Sequence, residues 1–222
     1  MYKAKKRILT LELSICFVLY YDLQHRGRIQ LYRDARLRRL TRYRYNNCPL
    51  DSEGFYIYVK DAETVWNIGW QPVQVELDRY SCRHGMGYSV IESAKNGISA
   101  KQEMFVPIGD NCLLMRVTVQ NDTEGEKSIS LFPYVEFCLW DAMDDSSNYY
   151  STGEVEVDGT AIYHKTEYRE RRNHYAVFWS NREPDGFGTS RDAFTGVYGG
   201  PAKPEAMFGA GCTAVSPTAG SL

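Results

Sequence analysis

From about residue 55 onward the chain alternates apolar and polar residues with period two, and this constrains the fold more than any other feature. Leu113 to Gln120 puts Met115, Val117 and Val119 on one face and Arg116, Thr118 and Gln120 on the other, the pattern of a half-buried strand. Phe55-Tyr56-Ile57-Tyr58-Val59 is a second strand that closes at Lys60-Asp61, and Tyr175 to Ser180 is another. Glu154 to Val157 and Thr160 to Tyr163 flank Asp158-Gly159, a pair suited to a tight primed hairpin turn. Leu113–Gln120 and Ser128–Tyr134 are separated by a polar loop and read as a further antiparallel hairpin. No segment after residue 50 carries a long capped helical stripe. Many short strands joined by turns predict an all-β, antiparallel sandwich. From residue 183 Gly, Pro and Ala accumulate, which predicts loop or an unfinished element.

The first 31 residues read differently. Lys3 to Arg7 followed by apolar Leu13 to Tyr21 has the layout of a signal peptide. Glu12 interrupts it, no small-x-small cleavage site follows, and the run is too short to span a bilayer. With neither strand alternation nor a helical stripe recognised there, residues 1–31 are expected not to join the core.

Composition narrows the function classes. A net charge of −2 supplies no field toward nucleic acid or an anionic membrane, so neither is an expected partner. Six scattered cysteines without a C-x-x-C spacing predict reduced, packed thiols and a cytoplasmic protein, with no metal site. Aromatics reach 14%, with 17 Tyr; they serve strand packing, and they are also the usual lining of a carbohydrate site. Arg33, Arg36, Arg38, Arg39, Arg42 and Arg44 interleave with Tyr, a pattern that fits stacking on single strands, although a polar strand face paired with carboxylates is the reading preferred. His164 and His174 bracket an alternating-charge stretch and read as structural histidines. Asp141, Asp144 and Asp145 beside Trp140 resemble a glycosidase carboxylate group, but interstrand aspartates commonly cap turns.

Five stretches, taken together, resemble the cellobiose phosphorylases: Tyr32-Arg-Asp-Ala-Arg-Leu-Arg-Arg-Leu-Thr-Arg-Tyr-Arg-Tyr-Asn-Asn47, Glu76-Leu-Asp-x-Tyr-x-Cys-Arg-His-Gly-x-Gly-Tyr88, Val135-Glu-Phe-Cys-Leu-Trp140, Ser151-Thr-Gly-Glu-Val-Glu-Val157 and His164-Lys-Thr-Glu-Tyr-Arg-Glu-Arg-Arg-Asn-His174. The resemblance covers residues 32–206 and implies the N-terminal β-sandwich of these enzymes, a galactose-mutarotase-like supersandwich. It implies further that the (α/α)-barrel carrying the general acid and phosphate site is absent, so this chain has no catalytic residue of its own. The implied chemistry is inverting phosphorolysis of cellobiose by inorganic phosphate, without a cofactor, in a homodimer. In such a dimer a sandwich loop of one subunit reaches the other's active site. Tyr149, Tyr150 and Ser151 occupy that loop and are the implied substrate-binding residues, although the loop is about three residues shorter than the family pattern. Residues 1–31 and 207–222 depart from the family. Back-translation of Leu23 to Leu31 one base later restores the family-like Asn-Thr-Ala-Gly-Gly-Tyr-Ser-Phe, which predicts out-of-frame translation before Tyr32. Ser216 to Leu222 admits a similar reading. Alternatives of another class are a non-catalytic carbohydrate-binding sandwich and a dimerisation module.

Overall fold

Residue 57 illustrates why this chain builds two layers with a third covering. Phe55, Tyr56, Ile57, Tyr58 and Val59 are all buried, so their strand is covered on both faces and its sequence reads as a continuous apolar run. The computed structural model describes residues 2–4, 8–16, 20–24, 28–33, 39–41, 55–108, 110, 112–140, 153–158, 160–166, 175–196 and 198–208. In chain order the strands are β1 Tyr2–Ala4, β2 Ile8–Cys16, β3 Tyr20–Gln24, β4 Arg28–Arg33, β5 Arg39–Thr41, β6 Phe55–Asp61, β7 Thr64–Asn67 and β8 Arg79–Gly85. They continue with β9 Tyr88–Lys95, β10 Ile98–Phe105, β11 Cys112–Asn121, β12 Ile129–Val135, β13 Phe137–Trp140, β14 Gly153–Asp158, β15 Ala161–Thr166 and β16 Tyr175–Ser180. A one-turn helix α1 (Arg191–Thr195) and a 3-10 turn (Glu205–Met207) follow.

These strands form two eight-stranded antiparallel sheets. The first runs β1-β12-β6-β4-β5-β13, with β3 added on β4 and β7 on β6; the second runs β14-β15-β16-β2-β11-β10-β9-β8. Their facing sides enclose the main core. Phe55, Ile57, Val59, Ile129, Leu131 and Val135 come from the first sheet; Leu9, Leu11, Leu13, Ile15, Ile91, Met104, Leu113, Met115, Val117, Val119 and Phe178 come from the second. The far side of the first sheet carries a second cluster in which Tyr56, Tyr58, Phe132 and Tyr134 are covered by Phe194 of α1 and Met207 of the 3-10 turn. Tyr134 stacks on Phe194 at 5.1 Å between centroids and on Tyr56 at 5.8 Å. The Gly- and Pro-rich stretch after residue 183 is thus a lid over an aromatic sheet face. The all-β sandwich expected from alternation is the fold observed.

Two expectations are corrected. Residues 1–31 contribute β1, β2, β3 and part of β4, and β2 lies at the centre of the second sheet between β11 and β16. Leu9, Leu11, Leu13 and Ile15 are at most 5% exposed, and they alternate with Thr10, Glu12 and Ser14. The period-2 signal was present, hidden behind the basic flank and the longer apolar run. Glu12, the residue that seemed to interrupt that run, faces outward, and its Oε1 accepts from the Arg116 Nη2 at 2.9 Å and Nε at 3.1 Å. The second correction is that β11 and β12 do not pair with each other. β11 pairs β10 and β2 in one sheet, whereas β12 pairs β6 and β1 in the other. The intervening loop folds on Asn121, whose side chain accepts from the Thr123 N–H at 3.0 Å and donates to the Gly125 carbonyl at 2.7 Å. Lys127 then bridges Asp61 of the first sheet and the Asn96 carbonyl at 2.7 Å each, which guides the chain across layers.

Asp158 pairs with Ala161, so β14 and β15 form the expected hairpin, with its two-residue turn one place later than Asp158-Gly159. An equally strong turn joins β9 to β10 at Asn96-Gly97, both with positive φ (53° and 72°), the geometry of a primed two-residue turn.

Candidate functional site

Of the residues that sequence reasoning singled out, Tyr149, Tyr150 and Ser151 lie outside the described residues, as do Asp141, Asp144, Asp145 and His174. The strands on either side of that loop are described: β13 ends at Trp140 and β14 begins at Gly153. Both reach well-anchored ground. Glu136, 6% exposed between β12 and β13, accepts from the Arg191 Nε at 3.1 Å and from the Tyr134 hydroxyl. The Tyr58 hydroxyl donates to the Pro201 carbonyl at 2.9 Å. Burial pushes both the Tyr58 and Tyr134 phenols well above 10, with the Glu136 carboxylate adding to the effect, so both remain neutral hydrogen-bond donors. The pair Glu136–Arg191 therefore locks α1 over the sheet at the root of β13.

His164, at the head of the alternating-charge stretch, is 6% exposed on the inner side of β15, with its ring 5.5 Å from that of Phe137 on β13. Its Nδ1 has no hydrogen-bond partner among the described residues. Desolvation lowers the imidazole from 6.5 to about 4, so it sits neutral in the core. Arg33 and Arg39 of the interleaved run are placed directly opposite each other on β4 and β5. Among the described residues no group of three or more His, Cys, Asp or Glu side chains is arranged to hold a metal ion, and no helix is long and apolar enough to cross a membrane.

The outer side of the second sheet carries a groove of about 550 Å³ that sequence reasoning missed. Register explains it: Tyr88, Phe105, Leu114, Ser14 and Trp179 lie opposite one another on β9, β10, β11, β2 and β16, in one row across the sheet. Tyr88, Phe105 and Trp179 are 51%, 45% and 41% exposed. One step along the strands lie Glu103, Arg116 and Glu12, a charged row beside the aromatic one. Aromatic faces next to carboxylates and a guanidinium can hold an amphipathic ring by stacking and hydroxyl hydrogen bonds. Each strand contributes a single residue to this row, so no linear motif announces it.

The chain is 31% identical over 214 residues to an N,N'-diacetylchitobiose phosphorylase of Vibrio proteolyticus, an alignment covering 90% of this chain and 26% of that protein. It is 32% identical over 208 residues to the N,N'-diacetylchitobiose phosphorylase of Vibrio furnissii, with the same coverage. A solabiose phosphorylase of Paenibacillus borealis is 30% identical over 199 residues, covering 87% of this chain and 24% of the relative. The chain thus spans about a quarter of the length of the curated relatives it matches. The family model for the glycosyl hydrolase 94 supersandwich domain matches residues 27–221. Two packed antiparallel sheets over most of the chain, together with that match, place this protein in the glycosyl hydrolase 94 family as its supersandwich domain.

Proposed function

We propose that this chain is the sandwich portion of an inverting disaccharide phosphorylase acting on cellobiose. The observation that carries the reading is the family match over residues 27–221, joined to relatives that are named as disaccharide phosphorylases. In the proposed reaction phosphate attacks the anomeric carbon from the face opposite the leaving sugar, while a carboxylic acid protonates the departing glycosidic oxygen. Because phosphate arrives as an anion, no second carboxylate is needed to activate it. The acid and the phosphate site belong to a barrel domain, and this chain's part is architectural. Its loop at Tyr149, Tyr150 and Ser151 would reach the sugar site of the other subunit in a cytoplasmic homodimer, with inorganic phosphate as co-substrate and no cofactor.

The purified 222-residue chain is assayed for sugar 1-phosphate release from cellobiose, N,N'-diacetylchitobiose and solabiose, alone and fused ahead of the barrel portion of the Vibrio proteolyticus relative. The chain alone is expected to be inactive, and the fusion active. Turnover by the chain alone, or a cooperatively folded fusion without turnover on any of the three sugars, refutes the proposal. Activity confined to the other two sugars refutes the cellobiose assignment.

A second reading is favoured by the aromatic row of Tyr88, Phe105 and Trp179, which suits a non-catalytic carbohydrate-binding face. Titration of the chain with cello-oligosaccharides should then quench Trp179 fluorescence, and W179A should remove the response. An unchanged spectrum at millimolar sugar removes this reading.

A further inference from the structure

We propose that Cys82, His84 and Ser89 form a nucleophilic thiol site that exchanges with low-molecular-weight disulfides. The placement follows from strand periodicity. Cys82 and His84 are two residues apart on β8, so their side chains share a face, and the β8–β9 register puts Ser89 directly opposite His84. The His84 Nδ1 lies 3.0 Å from the Ser89 Oγ, and the Nε2 lies 3.3 Å from the Cys82 Sγ. With Nδ1–H donating to the serine oxygen, the Nε2 lone pair faces the thiol and accepts its proton. A nucleophile, a base within hydrogen-bond reach and a third group orienting the base are the working parts of an activated thiol.

Access and protonation agree with this assignment. Cys82 carries a free thiol and is half-buried against the edge of the main core, while His84 is exposed. Strand β8 ends the order of its sheet among the described residues, so one side of the hairpin faces away from neighbouring strands. Burial pushes the Cys82 thiol up, and a hydrogen bond with Tyr80 pulls it partly back. At neutral pH little thiolate exists without help, and proton transfer to His84 is the route to it.

In the exchange, the Cys82 proton passes to Nε2 as the sulfur attacks one sulfur of the disulfide R–S–S–R. The S–S bond breaks, RS⁻ leaves and takes the proton from the imidazolium, and the products are Cys82–S–S–R and RSH. The Cys82 sulfur is oxidised, the small disulfide is reduced, and His84 returns to its neutral form. Excess thiol reverses the reaction by the same steps.

Oxidised glutathione is added to the full chain at pH 7, and adducts are quantified by site-resolved mass spectrometry. Cys112, a half-buried thiol on β11, is the internal reference. Cys82 is expected to react about 100-fold or more faster than Cys112, the low end of what a positioned base contributes. H84Q should reduce Cys82 to the Cys112 rate while leaving Cys112 unchanged, and S89A should give a smaller loss. Equal rates for the two cysteines, or an H84Q rate matching wild type, would overturn the proposal. If H84Q fails to fold, the wild-type rate ratio decides.

Discussion

Acidifying the protein from pH 7 to pH 5 should cost it about 2 kcal/mol of stability through His164 alone. The imidazole is neutral in the folded protein because burial holds it at about 4, whereas in the unfolded chain it returns to 6.5. Between those values the unfolded state binds the extra proton, so stability is fully present above about pH 6.5 and falls as pH drops toward 4. The complete loss is about 3 kcal/mol, at 1.36 kcal/mol for each pH unit separating the two states. Roughly two thirds of it is reached at pH 5. The Nδ1, which has no hydrogen-bond partner among the described residues, and the Phe137 ring at 5.5 Å leave the charged form little compensation. Urea unfolding, followed by the fluorescence of buried Trp66, would be run at pH 7 and pH 5 on wild type and H164L. Carboxylates titrate in both proteins, so the difference between the two pH dependences isolates His164. H164L should lose about 2 kcal/mol less than wild type over this interval. Equal losses would show that His164 is solvated or paired when protonated, and the reasoning from desolvation would fail.

Leu11→Ala removes a fully buried side chain at the centre of β2 and should cost about 2–5 kcal/mol, read as a lowered urea midpoint; a loss under about 0.5 kcal/mol, the range of surface substitutions, would mean that β2 is not packed in solution. Gly97→Ala should destabilise by at least about 1 kcal/mol, because φ is +72° and an added Cβ would lie 2.4 Å from the Thr123 Cγ2; a neutral effect in thermal melts would contradict the primed turn. Glu136→Gln leaves Arg191 without its buried carboxylate and should cost about 2 kcal/mol or more, with faster proteolysis near α1; unchanged cleavage would show that this pair does not hold the lid. The proposed reading-frame change before Tyr32 is checked by sequencing the DNA, and codons incompatible with Asn-Thr-Ala-Gly-Gly-Tyr-Ser-Phe in the next frame would end it.

Strands such as Leu113–Gln120 could be read directly, because period two is a property of consecutive residues and one face of β11 is wet. The all-β class followed from several such segments, and the family resemblance from long linear motifs. What the chain does with those strands was decided elsewhere. β2 has the same alternation as β11, yet its basic flank and apolar continuation gave the local window two readings. Only burial between β11 and β16 distinguishes them. The loop after Asn121 looks like a hairpin turn in sequence, but whether it turns back or crosses depends on which sheet offers Ile129 a buried position. Sites show the same division. Tyr149, Tyr150 and Ser151 were suggested by motif resemblance alone, and they lie outside the described residues. The groove row and the Cys82–His84–Ser89 relay depend on register, the pairing of residues on different strands. Register is set by the sum of core contacts across both sheets, so it emerges only when the tertiary structure forms.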